Sequence, residues 1–166
     1  MAALSDQADR LERAAADLLA LRSDVEASTW PLAADYGTGP EASWGPPEVL
    51  AHVQEYLRYW LGEIERVLAA SGTEPVPFGR IADDPVRIGV IGRDRTVPLP
   101  ELFERIEWDA RRVAARLREL SEAEADRRGL HPTRGAMTVR EQLDPFLVGH
   151  TEGHVTQLRE ALAGAR

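Results

Sequence analysis

The most informative segment of the chain is TVREQLDPFLVGHTEGHVTQLREAL, residues 138–162. On a helical wheel at about 100° per residue, its large apolar side chains and both of its histidines share an arc of roughly 120°, the width of a core-facing stripe. The residues on this arc are Leu143, Phe146, Leu147, His150, His154, Gln157, Leu158 and Ala161. The stretch therefore predicts a helix that buries one face and carries two histidines, one turn apart, on that face.

Several residues of this stretch carry more specific information. Thr138 and Glu141 have the spacing of a capping box, in which each side chain accepts a backbone N–H. Pro145 removes a backbone hydrogen bond, so it should bend the helix just before the first histidine. Gly149 and Gly153 each cost about 1 kcal/mol relative to alanine within a helix. They indicate that something needs room there: a neighbouring helix, a substrate or an open position on a metal ion.

Three further segments have apolar residues at helical spacing, with prolines or glycines at their ends. They cover about residues 5–26, 46–71 and 99–120, which gives four helices in all. Between the second and the third, residues 73–98 hold too many prolines and glycines for one long helix. A short helical piece or an extended crossover around 86–91 fits that segment. Residues 126–137 are predicted to form a loop.

The predicted architecture is all-α: an up-and-down-type four-helix bundle with one long crossover. The chain has 166 residues, a length that suits one domain with a core of its own. We therefore expect a single domain, 1–166.

Charge and composition exclude several functions. The net charge is −8, so the surface repels phosphate backbones and anionic lipid, and we expect no nucleic-acid or membrane partner. The sequence has no cysteine and no lysine, which removes thiolate nucleophiles, thiolate metal sites and Schiff-base chemistry. The groups left for chemistry are imidazole, carboxylate, hydroxyl and water.

The N-terminal sequence is polar and acidic, without the regions of a signal peptide. No apolar run approaches the roughly 20 residues of a membrane span. These observations predict a cytoplasmic location.

The histidines are the candidate metal ligands. His150 and His154 lie one turn apart, with Cβ atoms roughly 6 Å apart, which allows both rings to reach one ion. His52 lies at the flank of the apolar stripe of the second helix. His131, in the predicted loop, is expected to brace that loop. From the residues alone, a buried hydrogen-bond network remains an alternative to metal binding, because both would satisfy buried imidazoles.

Two blocks of sequence connect the chain to a known family. They are Trp44-Gly-Pro-Pro-Glu-Val-Leu-Ala-His52, and residues 131–143 continued by Gly149-His-Thr-Glu-Gly-His-Val-Thr-Gln-Leu158. The order and spacing of these motifs resemble the DinB/YfiT-like metalloenzyme superfamily. The resemblance implies a right-handed crossover, frequent homodimers, and one zinc, nickel or iron ion held by His52, His150 and His154.

The resemblance also bears on activity, since some relatives are thiol S-transferases or isomerases and others are hydrolases. Three imidazoles leave at least one position on the ion for water or substrate, as in catalytic sites. Tyr56 and Gln157 are the further predicted cofactor-binding residues: Tyr56 would donate to an oxygen ligand of the ion, and Gln157 would orient a histidine. Glu55 and Glu152 lie off the inward arc and are expected to be solvated. No catalytic residue is assigned.

The predicted function is therefore a metal-dependent enzyme, a hydrolase or a low-molecular-weight-thiol S-transferase, in stress response or detoxification. Its substrate is expected to be a small molecule, and any thiol must come from a cosubstrate because the chain has no cysteine. The alternatives are a non-catalytic, metal-stabilised bundle that serves as a binding or dimerisation module, and a plain interaction bundle without metal. Since imidazole ligands must be deprotonated, metal affinity is expected to collapse below roughly pH 6.

Overall fold

The computed structural model describes residues 3–165, which are mainly helical. The helices within these residues are α1 (Leu4–Ala20), α2 (Arg22–Glu26), α3 (Pro46–Ala69), α4 (Pro85–Asp94), α5 (Leu99–Glu119), α6 (Glu122–Ala125), α7 (Val139–Leu143) and α8 (Gly149–Gly164). A 3-10 turn, Glu41–Ser43, precedes α3, and a π-helical segment, Asp144–Val148, precedes α8. None of these helices has both the length and the apolar character that crossing a membrane requires. The predicted domain, 1–166, includes Met1, Ala2 and Arg166, which lie outside the described residues.

Four long helices form a bundle, which confirms the predicted fold class. Helix α1 packs against α5 and α8, and α3 packs against the same two helices. Apolar residues predicted to face inward, such as Leu11, Leu57 and Leu117, are completely buried. Burial of these stripes is the main source of stability in such a bundle.

The ion pairs between α3 and α5 give the relative direction of these two helices. Arg58 pairs with Asp109, and Glu65 pairs with Arg116, each at 2.6 Å. Both pairs join residues 51 positions apart. A constant offset along two helices means that they run in the same direction, so α3 and α5 are parallel.

Helix α1 has one parallel and one antiparallel neighbour. It is parallel to α8, because Arg10 pairs with Glu152 and Asp17 with Arg159, both 142 positions apart. It is antiparallel to α5, because Asp9 near its beginning pairs with Arg118 near the end of α5. The order of α1, α3, α5 and α8 is therefore up, down, down, up.

This order corrects the predicted up-and-down topology. Periodicity in a sequence identifies the buried face of a helix but carries no information about its direction in the bundle. The long crossover is confirmed, because the chain must return along the bundle between the parallel helices α3 and α5. Its middle forms α4, in the region where a short helical piece was expected, and α4 packs against α3.

A small three-stranded sheet, in the order β1–β2–β3, lies beside the bundle. Strands β1 (Val76–Pro77) and β2 (Arg128–His131) are parallel, and β2 forms an antiparallel hairpin with β3 (Gly135–Thr138). The predicted loop over residues 126–137 was therefore wrong. Four-residue strands without long apolar alternation give too weak a pattern to be recognised in a sequence.

The stretch at residues 138–162 is helical, but in three segments. The capping box is confirmed: Thr138 Oγ1 accepts the N–H of Glu141 at 3.1 Å, and Glu141 accepts the N–H of Thr138 at 2.7 Å. After α7, the helix widens by one π turn, in which the N–H of Gly149 bonds to the carbonyl of Asp144. Pro145, which has no N–H to donate, lies in this turn, so the predicted disturbance takes the form of a π-helical segment.

Candidate metal centre and adjacent cavity

Three histidine side chains meet between α3 and α8. His52 Nε2 lies 3.0 Å from His150 Nε2, and His154 Nε2 lies 3.2 Å from the same atom. Each histidine offers one nitrogen, and the three nitrogens lie within 4.8 Å of one another. His52 and His154 are buried and His150 is half-buried. The structure therefore brings together the three predicted metal ligands, from two different helices.

The spacing of the nitrogens fits one metal ion. Three imidazole nitrogens at about 2.0–2.1 Å from a tetrahedral zinc ion lie about 3.3 Å from one another, close to the 3.0 and 3.2 Å observed here.

The protonation state of the three histidines also fits metal binding. Burial and the neighbouring His154 lower the pKa of His150 to about 3, and burial lowers the pKa of His52 and of His154. All three rings are therefore neutral near pH 7, as metal binding requires.

Gln157 orients His154. Its Nε2 donates to the carbonyl of Glu41 at 2.8 Å, so its Oε1 faces His154 Nδ1 at 3.0 Å as an acceptor. His154 must then carry its proton on Nδ1 and direct the Nε2 lone pair toward the other two histidines. A polar partner on the outer nitrogen is typical of histidines that bind metal. Gln157 thus lies where the predicted orienting residue is needed.

Tyr56 makes a different hydrogen bond from the predicted one. Its hydroxyl lies 2.7 Å from Thr151 Oγ1, and Thr151 donates its own proton to the carbonyl of Leu147 at 2.6 Å. The Tyr56 proton therefore goes to Thr151 and is not available to an oxygen ligand of the ion. The Tyr56 ring packs edge-on against His52 and against His150, with centroids 5.0 and 4.7 Å away. The ring of Tyr56 thus lines the site.

The π-helical segment positions His150. A Cβ atom at Gly149 would lie 3.0 Å from the Asp144 carbonyl oxygen and 3.1 Å from its side chain, a tight contact that glycine avoids. The room beside His150 therefore serves the preceding turn of the same helical stretch, and not the neighbouring helix, substrate or open metal position that was expected. Gly153 differs, because a Cβ atom there would meet nothing within 4 Å. The same expectation was wrong for Gly153, which lies at the exposed side of α8.

Two charged residues beside His52 were not predicted. Arg87, on α4, is buried and lies with Nη2 3.4 Å from His52 Nε2. It also donates to Glu41, whose other carboxylate oxygen lies 4.0 Å from His52 Nε2. Both residues come from the connections between the long helices, where the sequence has no periodic pattern. Only the tertiary structure brings them to the histidines.

The expectation that Glu55 is solvated was wrong. Its carboxylate is buried and accepts two hydrogen bonds from Arg80, both at 2.6 Å. Arg80 lies in the crossover. Because a helical wheel of α3 gives no information about residues of other segments, it could not reveal that Glu55 has a buried partner. Glu152 is half-buried and pairs with Arg10 at 2.7 Å. Neither carboxylate approaches the histidines as an evident proton acceptor.

A cavity of about 410 Å³ opens beside the histidines, within the size range of small-molecule sites. It is lined by His52, His150 and Tyr56 at one end. Elsewhere its wall is formed by the aromatic rings of Trp60, His131 and Phe146, by the charged side chains of Glu41, Arg80, Arg87 and Arg134, and by Ile81, Ala82, Thr133 and Pro145. The three-histidine group is therefore next to a space that a small molecule could enter.

His131 lies in the wall of this cavity. Its Nδ1 accepts the N–H of Thr133 at 3.3 Å, a bond within the hairpin turn that agrees with the expected bracing role. Its ring lies 5.1 Å from that of Phe146, in a stacked arrangement. His131 is not part of the three-histidine group.

The comparisons with known proteins identify the family. None of the curated proteins matches the chain. A family model described as the DinB superfamily matches residues 3–158, which is almost the whole chain. This match covers α1, α3, α5 and the three histidines of the candidate metal centre. The chain therefore belongs to the DinB superfamily.

Proposed function

We propose that the protein is a metal-dependent enzyme that holds one divalent transition-metal ion with His52, His150 and His154 and acts on a small molecule. The observation that carries this proposal is the convergence of three neutral imidazole nitrogens at one end of a cavity of ligand size. A structural zinc site is normally closed by a fourth protein ligand. Among residues 3–165, the group contains three candidate ligands and borders the cavity, as an open catalytic site does.

The donor set favours zinc or nickel, with iron as a third choice, because neutral imidazoles suit these ions. When bound, such an ion lowers the pKa of a coordinated water or thiol and so supplies a nucleophile near neutral pH. Gln157 holds His154 in the tautomer that binds metal, and Arg87 places a positive charge beside His52. The aromatic side chains of the cavity shield a bound substrate from water.

The proposed reaction is attack by water or by a low-molecular-weight thiol on an electrophilic substrate. The enzyme would be a hydrolase in the first case and an S-transferase in the second, with a role in stress response or detoxification in the cytoplasm. The thiol would come from a cosubstrate, since the chain has no cysteine. The nearest carboxylate, that of Glu41, lies 4.0 Å from His52 and is engaged by Arg87.

A second candidate function is a metal-stabilised binding or dimerisation module. It is favoured by the position of the histidines, because an ion held by His52 and His154 would link α3 to α8. The exposed side chain of Trp108 on α5 offers apolar surface to a second copy of the chain. In this case the ion would mainly stabilise the bundle.

Elemental analysis of protein purified without an affinity tag tests the metal site. We expect about one zinc or nickel ion per chain, and a ratio far below one after supply of either metal would overturn the proposal. His154→Ala should lose the metal, whereas His131→Gln, which changes a buried histidine outside the group, should keep it. If both variants keep the metal, the ligand assignment is wrong.

Stability and ligand binding then separate the two functions. If the ion is catalytic, metal-free wild type should remain folded, and His154→Ala should lose no more melting temperature than removal of the metal from the wild type does. Azide or a small thiol should then alter the spectrum of the cobalt-substituted wild type, because a position on the ion is open. A large loss of melting temperature together with an unchanged spectrum would favour the structural module.

A further inference from the structure

The cavity beside the histidines has a positive wall in a protein whose net charge is −8. Its lining includes Arg80, Arg87 and Arg134 but only one carboxylate, that of Glu41. The histidines in the lining are neutral near pH 7, because burial lowers the pKa of each. A local field of this sign attracts anions, although the surface as a whole repels them.

Two of the three arginines already have carboxylate partners. Arg80 donates two hydrogen bonds to the buried carboxylate of Glu55. Arg87 donates to Glu41 and to the carbonyl of Ala82. These guanidinium groups are largely neutralised by fixed partners within the protein.

Arg134 is different. It is an exposed residue in the turn of the β2–β3 hairpin, at the mouth of the cavity, and no carboxylate of residues 3–165 forms an ion pair with it. Its guanidinium carbon lies 5.1 Å from the centroid of the Phe146 ring, so the side chain lies along the cavity wall. An unpaired guanidinium at this place can form two parallel hydrogen bonds to one carboxylate.

The wall next to Arg134 is aromatic. The rings of Trp60 and Phe146 are stacked with centroids 4.1 Å apart, and the His131 ring stacks on Phe146. The Nε2 atom of His131 is buried and makes no hydrogen bond of standard geometry to the described residues, but a contact with the backbone of Arg80 partly offsets the effect of burial on the pKa of His131. The cavity thus combines flat aromatic side chains with one cation that has no carboxylate partner among the described residues.

From this arrangement we propose that the substrate is a small planar carboxylate. Arg134 binds its carboxylate, Trp60 and Phe146 contact its apolar part, and its far end points toward His52 and His150. One unpaired guanidinium matches one negative charge, which favours a monocarboxylate over a phosphate ester. The proposal deepens the proposed function and rests on it for the reacting end, but the contact with Arg134 does not involve the metal.

The test compares phenylacetate with its neutral analogue phenylacetamide by isothermal titration calorimetry, using metal-free and zinc-loaded protein. In both forms we expect phenylacetate to bind at least about tenfold more tightly than phenylacetamide, because the amide offers Arg134 one neutral acceptor oxygen in place of two charged ones. Arg134→Gln should abolish this preference. Arg134→Lys should keep part of it, because lysine retains the charge but not the planar pair of donors. Arg111→Gln, which changes an exposed arginine on α5, should bind like the wild type.

The outcomes are distinguishable. If Arg134→Gln keeps the full preference, or if neither form binds phenylacetate, the proposal is overturned. If the preference exists only with zinc and does not respond to Arg134→Gln, the carboxylate binds the metal and the proposal is also overturned. Phenyl phosphate binding tenfold more tightly than phenylacetate would overturn the choice of carboxylate. If zinc does not bind at all but metal-free protein retains the Arg134-dependent preference, the metal function fails and the anion site stands.

Discussion

At the scale of the residue, Gln157 is the side chain whose hydrogen bonds determine the tautomer of a candidate ligand. Its amide is fixed by the backbone of Glu41, and its oxygen faces His154 Nδ1 at 3.0 Å. Gln157→Ala removes the acceptor that holds the ring with its Nε2 lone pair toward the site. We expect zinc affinity to fall by about 10–100-fold, as is usual when such an outer partner is lost.

Competition with a chromophoric chelator measures this effect. Thr156→Ala is the matched control, because Thr156 is the exposed neighbour on the same helix and does not contact the histidines. Equal zinc affinity of the Gln157 and Thr156 variants would show that Gln157 does not orient a ligand.

The buried pair of Glu55 and Arg80 gives a second prediction at the residue scale. Arg80→Met leaves the Glu55 carboxylate buried without its partner, which should lower the free energy of unfolding by about 3 kcal/mol at about pH 7. Burial already raises the pKa of Glu55, and loss of Arg80 should raise it further. The folded variant then takes up a proton that the unfolded chain does not yet bind, so the deficit should shrink as the pH falls toward about 5.

Urea denaturation at several pH values measures this deficit. Arg111→Met is the control, because Arg111 is exposed and pairs with Glu107 one turn away at the surface of α5. A deficit for Arg80→Met that is no larger than that of the control would mean that the pair is not needed.

At the scale of the element, the π-helical segment and the start of α8 position His150, and two glycines there allow a matched test. Gly149→Ala places a Cβ atom 3.0 Å from the Asp144 carbonyl oxygen, so the backbone must shift. Overpacking of this kind costs about 1–3 kcal/mol, and the shift should move His150 and weaken zinc binding.

Gly153→Ala is the control on the same helix, since its added Cβ atom meets nothing within 4 Å. We expect it to stabilise the protein by about 0.5–1 kcal/mol, because alanine is the better helix former. Chemical denaturation and zinc titration of both variants check the contrast. The interpretation fails if both substitutions change stability in the same direction and by the same amount.

At the scale of the whole molecule, three neutral imidazoles, two of them buried and one half-buried, make folding sensitive to acid. An unfolded histidine has a pKa near 6.5, whereas burial lowers the pKa of His150 to about 3 and lowers the pKa of His52 and His154. Below about pH 6.5 the unfolded chain therefore binds protons that the folded protein does not. The free energy of unfolding of metal-free protein should be constant above this pH and fall between about 6.5 and 3, by about 1.4 kcal/mol per pH unit for each histidine that stays neutral.

Denaturant titration at a series of pH values measures this fall. The free energy of unfolding of the double variant His150→Ala, His154→Ala should depend less steeply on pH. An equal slope would assign the effect to other groups.

The same lowered pKa values modify the expectation that metal affinity collapses below roughly pH 6. Because the folded site resists protonation, we expect the metal to be retained to lower pH and then lost together with the fold.

Metal binding should raise the stability of the whole molecule. An ion that binds only the folded chain adds about 2.7 kcal/mol at a concentration of a hundred times its dissociation constant. For a chain of this size the melting temperature should then rise by about 5–10 °C. Calorimetry with and without zinc checks this, and an unchanged melting temperature in saturating zinc would contradict a specific site.

The pattern of amino acids was enough to predict the four bundle helices, the capping box at Thr138 and the family. These features are local: they depend on the period of apolar residues, on cap spacing and on motifs within one segment. The placement of His150 and His154 on one inward face also follows from periodicity alone.

The direction of the helices could not be predicted in this way, nor could the hairpin at residues 128–138 or the surroundings of the site. Arg87, Arg80 and Arg134 reach the cavity from the crossover and the hairpin, far from the histidines in sequence. Glu55 is buried only because Arg80 neutralises it. A helical period describes one face of one helix, whereas charge pairing and a shared cavity depend on which segments become neighbours in the folded chain.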